Sequence, residues 1–286
     1  MERSGRDGGD ARPHRGSTAP RHVALLVVVA ALGLLLGACS NDPGQGSDPD
    51  PAQVDAVAPP ADDACRRLVP DDLTRTVNAT RTVACTEEHT AQTLVVGRVP
   101  DDVAGDGPDG DALVAWTART CAARFADHLG AGESTALRTV LGWAWFGPSR
   151  RAWDDGARWY RCDLVGGGPT SSRLATLPGR TRGLLAGLPA DRWMACARGA
   201  SVQQGRRVSC AQPHDWRAVT TIRLGEARTA YPGDDAVERR TRQFCADSVA
   251  AWLRYPASYD YGYTWFGAAE WSRGNRRSVC WARTSR

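Results

Sequence analysis

Two stretches of the chain place apolar or small side chains at every fourth position. One runs Leu113, Thr117, Cys121, Phe125, Leu129, and the other Val237, Thr241, Cys245, Val249, Leu253. Residues four apart share one helix face, so the pattern predicts helices over about 110–129 and 235–253, each turning a cysteine inward. Asp234 or Asp235 is the expected cap of the second. Around the helices the pattern changes to short extended runs, at 82–85, 90–99, 140–146 and 158–164 in one half and at 207–210, 216–224, 261–266 and 276–281 in the other. The order ββαββ thus occurs twice. The expected class is α+β: two tandem modules, residues 65–165 and 191–286, each with one helix packed on a small antiparallel sheet, joined by a linker at 166–190.

The cysteines keep the same register. Cys65, Cys85, Cys121 and Cys162 form one set, and Cys196, Cys210, Cys245 and Cys280 the other. The second of each opens a Cys-x3-His phrase ending at His89 or His214. Each set closes on a tail of Trp-Phe-Gly (145–147, 265–267), then Trp153, Gly156, Cys162 or Trp271, Gly274, Cys280. Each set of four allows three pairings. The favoured one, Cys65–Cys85, Cys121–Cys162, Cys196–Cys210 and Cys245–Cys280, staples adjacent extended segments and pins each helix to its last strand. Modules of about 100 residues with few large aliphatic side chains depend on such bonds and on buried tryptophan.

Ahead of the modules, residues 23–35 form an apolar run of 13, too short for the roughly 20 residues of a membrane-spanning helix. With Leu36-Gly37-Ala38-Cys39 closing it, residues 1–38 read as a lipoprotein signal peptide and Cys39 as an acylated first residue, palmitate being one of its chains. Residues 39–64 hold Pro, Gly, Asp and Ala with six acids and no base, the composition of a disordered tether. The expected address is the extracytoplasmic face of the cell membrane. An exported chain with paired cysteines is a disulfide framework, so zinc is the weaker use of Cys-x3-His, and neither metal nor cofactor is expected.

Charge changes the picture in one respect. Residues 40–165 carry 12 Arg against 20 acids, whereas residues 166–286 carry 19 Arg against 9 acids, and no Lys occurs anywhere. Exclusive use of Arg reflects the codon bias of a GC-rich genome. Nucleic acid does not fit the address, and a solvated basic surface is the plain reading of the second half. The candidate binding residues are His89 and His214, alike in the two copies, and Trp153, Trp159 and Trp271, beside turns where exposed rings could stack on cell-wall sugars or on a protein. No nucleophile elbow, zincin motif, phosphate loop or serine-lysine signature is visible. A non-catalytic binding or scaffold role is therefore expected. The alternatives are a peptidoglycan or glycan binder and a hydrolase working through His89 or His214.

The phrase Cys210-x-x-Pro213-His214, the following strand, the cysteine-bearing helix and the Trp-x2-Gly-x5-Cys tail together resemble the actinobacterial septum formation family. Copy one departs in having Glu88 where copy two has Pro213, and in the longer spacing of its first two cysteines. The resemblance implies an envelope protein linked to cell division, with envelope or division proteins as partners. It implies no catalytic residue.

Overall fold

The computed structural model describes residues 49–105, 107–226 and 228–284, so the expected signal peptide at 1–38 and the acylation candidate Cys39 lie outside the described residues. The first module contains α1 (Ala52–Asp55), β1 (Cys65–Arg66), a 3-10 turn (Pro70–Thr74), β2 (Thr82–Val83), β3 (Ala91–Arg98), α2 (Asp101–Ala104), α3 (Asp111–Leu129), α4 (Glu133–Leu137), β4 (Gly142–Phe146), α5 (Arg150–Asp154) and β5 (Trp159–Val165). The second contains β6 (Ala195–Arg198), β7 (Arg206–Ser209), β8 (Trp216–Arg223), α6 (Asp234–Trp252), β9 (Tyr261–Thr264), α7 (Ala268–Ser272) and β10 (Arg277–Arg283). Each module builds a five-stranded antiparallel sheet, ordered β2-β1-β3-β5-β4 and β7-β6-β8-β10-β9. The class is α+β, with one strand per sheet more than the four predicted. The extra strand, β1 or β6, carries the first cysteine and lies between its neighbours. At two and four residues these strands are too short to show alternation.

The four-residue stripe is the buried face of each long helix. α3 buries Leu113, Thr117, Cys121, Phe125 and Leu129, and α6 buries Val237, Thr241, Cys245 and Val249, with Leu253 half-buried past its end. The cap of α6 is Gly233. Asp234 and Asp235 sit instead in the first turn, where carboxylates complement the helix dipole. Four disulfides join Cys65 to Cys85, Cys121 to Cys162, Cys196 to Cys210 and Cys245 to Cys280. In each module one therefore ties the first two strands' region together and the other bolts the long helix to the last strand in sequence, β5 or β10. Both sheets also carry a bulge at the same place, since Leu94 and Val219, each nine residues after the second cysteine of its set, are the unpaired extra residues opposite β5 and β10.

The stretch expected to be a free tether is, from Pro49 on, part of the first module. Pro49 bridges Thr80, Val54 is buried, and its carbonyl accepts from the Ser149 N–H at 2.9 Å. The Ala56 carbonyl accepts from the Trp159 indole at 3.0 Å, and the Ala64 carbonyl from the Thr93 N–H at 2.8 Å. The composition misleads because this segment is ordered by backbone hydrogen bonds and by Val54, with little apolar burial of its own. Its Gln53 accepts from Arg66 and its Ala56 from Trp159, on the sheet face opposite α3, where Leu68 and Leu174 also cover Val165.

Residues 166–190 are likewise a packed strap. Leu174, Leu177, Thr181 and Leu185 are buried, and the N–H groups of Leu177 and Leu185 donate to the carbonyls of His89 and Leu129. His128, at the end of α3, donates through Nε2 to the Thr181 hydroxyl at 2.8 Å, and that hydroxyl donates to Gln92. The His128 Nδ1 is buried with no hydrogen-bond partner among the described residues. Burial first, then the nearby Arg182, lowers its pKa, with Asp63 opposing. The imidazole is thus neutral in the fold. Its contribution to stability is present above the unfolded pKa of about 6.5 and is lost as pH falls through the lower folded value. We expect the urea midpoint to fall between about pH 7 and pH 5, and His128→Gln to flatten that dependence.

The modules touch. The N–H of Val140 donates to Trp193 O at 2.9 Å and that of Ala195 to Arg138 O at 2.7 Å, about an isolated Thr139–Met194 bridge. Arg138 donates to Val219 O at 3.0 Å, and Arg277 pairs with Glu133 at 2.7 Å. Trp193 completes a cluster with Leu129, Leu141 and Leu185.

Candidate functional site

The Trp-x2-Gly tail proves to be a compact turn. α5 and α7 each run five residues, and Gly156 and Gly274 follow them at φ +99° and +98°, a left-handed conformation that glycine adopts without steric penalty. The arginine four before the last cysteine then folds back over the tryptophan. Arg158 lies 4.2 Å from the Trp153 ring centre and Arg276 lies 3.9 Å from that of Trp271, and each guanidinium donates to its tryptophan's own carbonyl. Sequence reading missed these arginines, although their equal spacing from Cys162 and Cys280 was visible.

The tryptophans expected to offer exposed rings do not. Trp153, Trp159 and Trp271 are 6%, 3% and 5% exposed. Arg158 and Arg276 cover Trp153 and Trp271, Trp159 packs with Ala152 and Ala157, and the indole N–H groups of Trp159 and Trp271 donate to the carbonyls of Ala56 and Thr229. The histidines are also internal. His89 is fully buried and His214 is 3% exposed, and in each the Nδ1–H donates at 2.8 Å to the carbonyl two residues back, Glu87 or Gln212. Cys-x3-His is therefore a disulfide-anchored turn whose imidazole locks the entry to β3 or β8. Cys85 and Cys210 are consumed in disulfides. Neither ring offers a face to a ligand.

The structure does bring Trp153 and Trp159 together, with the half-buried Trp145, as walls of a cleft of about 80 Å³ in the first module. Val99 and Leu113 form its floor side, while Val77, Pro108 and Pro148 close in from three loops. Asp109 and Arg150, both largely exposed, form an ion pair of 2.5 Å among the lining groups. The dry cavity that holds one benzene in an engineered protein measures about 150 Å³. The cleft therefore admits a ring edge or an aliphatic tip, and a whole sugar ring does not fit inside.

Beneath the N-terminal segment lies a second unusual feature, a buried charged cluster. Asp163 and Arg161 are fully buried and Arg66 is 1% exposed. Asp163 accepts from Arg161 Nε at 3.1 Å and from the Thr93 hydroxyl at 2.9 Å, while Arg66 donates to Thr93 at 2.8 Å and Arg161 to Asn78 at 2.8 Å. Two guanidiniums share one carboxylate. Burial pulls the Arg66 pKa down to about 10, with Asp163 opposing and Arg161 adding to the fall. At the same register positions the second module has Ala197, Ala218, Val279 and Trp281 in place of Arg66, Thr93, Arg161 and Asp163, an apolar cluster.

Fold and cleft together define a disulfide-stapled α+β protein of two modules in contact, with a small aromatic cleft and two internal histidine turns. Residues 139–280 match the family model described as septum formation. That match begins at the inter-module bridge, takes in β4 and β5, and runs to the last cysteine of the second module. The description of that model points to a role linked to cell division. No curated protein and no solved structure gives a match.

Proposed function

We propose that this protein is a lipid-anchored envelope protein that works by binding, holding a component of the division apparatus through the cleft of its first module. The observation that carries the reading is the cleft itself, a ready-formed apolar recess with three indole walls and a charged pair among its lining groups. Binding sites are commonly of this composition, mostly aromatic with a few placed polar groups. The address is supported by the apolar run closing at Cys39 and by four disulfides, which suit an oxidising compartment. Among the described residues no helix is long and apolar enough to cross a membrane. The family match supports the link to division.

The test is photo-crosslinking in living cells, with a benzophenone amino acid at Val77, an exposed wall of the cleft, in the full chain. A discrete crosslinked protein, absent when the photoreactive residue is moved to Leu188, is the expected result. Adducts that do not differ between the two positions would sink the reading. Metabolic labelling with an alkyne fatty acid checks the anchor in the same cells: the label is expected on the wild type and lost in Cys39→Ala, with the mutant released from the membrane fraction.

A further inference from the structure

The two modules answer the same structural question differently, and the difference identifies what the cleft takes. Three positions that line it have counterparts at matching distances from the cysteines: Val99, Leu113 and Trp153 correspond to Leu224, Val237 and Trp271. In the second module these three are packed with Phe266, which is 2% exposed and whose ring lies 5.6 Å from that of Trp271. Tyr231 closes over the same tryptophan at 5.5 Å. The recess of the first module is, in the second, filled by the protein's own aromatic rings.

Strand register explains how. Both copies read Trp-Phe-Gly, but the connection to the following tryptophan is two residues shorter in the second. Phe146 pairs with Arg161 and Thr264 with Val279, each partner directly preceding the last cysteine. Phe146 therefore matches Thr264, and Pro148 matches Phe266. The first module's Phe146 turns to the opposite sheet face, where it packs with Leu68, Ala91 and Val165 beneath Arg161. Its Pro148 stands where Phe266 would, and a proline ring is too short to fill the space. Charge adds a constraint on what approaches, since Arg150 and Asp109 offer one donor and one acceptor group to a chain lying across the cleft.

We propose that the cleft of the first module takes an aromatic side chain from a partner polypeptide, supplying in trans the ring that Phe266 supplies in cis. The proposal rests on the binding reading above and narrows it to one chemistry: a Phe or Tyr projecting from an otherwise polar, hydrogen-bonding segment. The ring packs against Trp153 and Trp145 at a shallow tilt, as Phe266 lies 30° from the plane of Trp271, and the flanking backbone reaches Arg150 and Asp109.

The test uses the full chain in lipid nanodiscs with fluorine-labelled tryptophan, titrated with N-acetyl-phenylalanine amide, N-acetyl-alanine amide and N-acetylglucosamine. Saturable shifts of Trp145 and Trp153 with the phenylalanine probe alone, weakened by about tenfold or more in Pro148→Phe, are the expected result. Pro148→Phe rebuilds the second module's plug. Val77→Glu, at the exposed wall, gives the same readout should that variant fail to fold. Shifts produced by the sugar and not by phenylalanine would overturn the aromatic proposal and leave a binding cleft. Shifts unchanged by either substitution would overturn it too, by placing the probe elsewhere. If no probe moves these signals and the Val77 crosslink is also missing, both readings fall.

Discussion

Replacing Asp163 by alanine is expected to destabilise the protein by about 3–5 kcal/mol, the range for removing one partner of a buried ion pair. The carboxylate is the sole acid in contact with Arg66 and Arg161, at 4.0 and 3.1 Å, among the described residues. Without it two guanidiniums stay in a dry space with only Thr93, Gln53 and Asn78 to receive their protons. The second module shows that the same sheet position folds without charge. A fourfold variant carrying its residues, Arg66→Ala, Thr93→Ala, Arg161→Val and Asp163→Trp, is therefore expected to lose less than Asp163→Ala alone, because exchanging a whole buried ionic set for apolar side chains is often close to neutral. Urea unfolding of the three proteins decides the matter. A fourfold variant weaker than the single one would mean that Gln53 of the N-terminal segment and Asn78 of the loop before β2 depend on the guanidiniums themselves.

The second large effect is covalent. Removing the helix-to-sheet bond with Cys121→Ala and Cys162→Ala releases a loop with a sequence separation of 41 residues, and the chain-entropy model gives about 4 kcal/mol for its closure. The equivalent change at Cys196 and Cys210, separated by 14, is expected to lose about 3 kcal/mol. Denaturation under non-reducing conditions measures both. Equal losses would show that packing around the sulfurs, and not loop length, sets their worth. Around that bond the buried stripe of α3 is partly polar or small, at Thr117 and Ala118, with Leu113 near one end and Phe125 and Leu129 at the other.

What could be read in advance was whatever repeats at a fixed spacing. The helices declared themselves through Cys121 and Cys245 and the apolar positions four and eight residues away. The strands adjoining them were found to within a few residues because β3 and β8 are eight residues long. Features that depend on distant partners were not legible. β1 is two residues long and exists because β2 and β3 flank it. The 49–64 segment looks like a tether because it is held by the carbonyls of Val54, Ala56 and Ala64, and backbone groups leave no trace in composition. Arg66 and Arg161 resembled the other arginines of a lysine-free chain, and only the fold distinguishes the buried ones. At the cleft, Trp153 and Trp159 were singled out as exposed rings, whereas they are walls. The matching Trp-Phe-Gly phrases also concealed a two-residue offset, which places Phe266 inside one module and leaves Pro148 at the edge of an open space in the other.

The disulfides also decide how the protein would respond to being stretched. Tension applied at the two ends of the described chain crosses each bond directly and bypasses the residues it encloses, so the loop between Cys121 and Cys162 withholds about 135 Å of contour at 3.3 Å per residue. Long helix α3 begins inside that loop's approach but ends within it, and most of α6 beyond Cys245 is shielded in the same way by Cys280. Under oxidising conditions only the stretches between bonds, from Cys85 to Cys121, Cys162 to Cys196 and Cys210 to Cys245, can pay out, and reduction adds the enclosed loops to them.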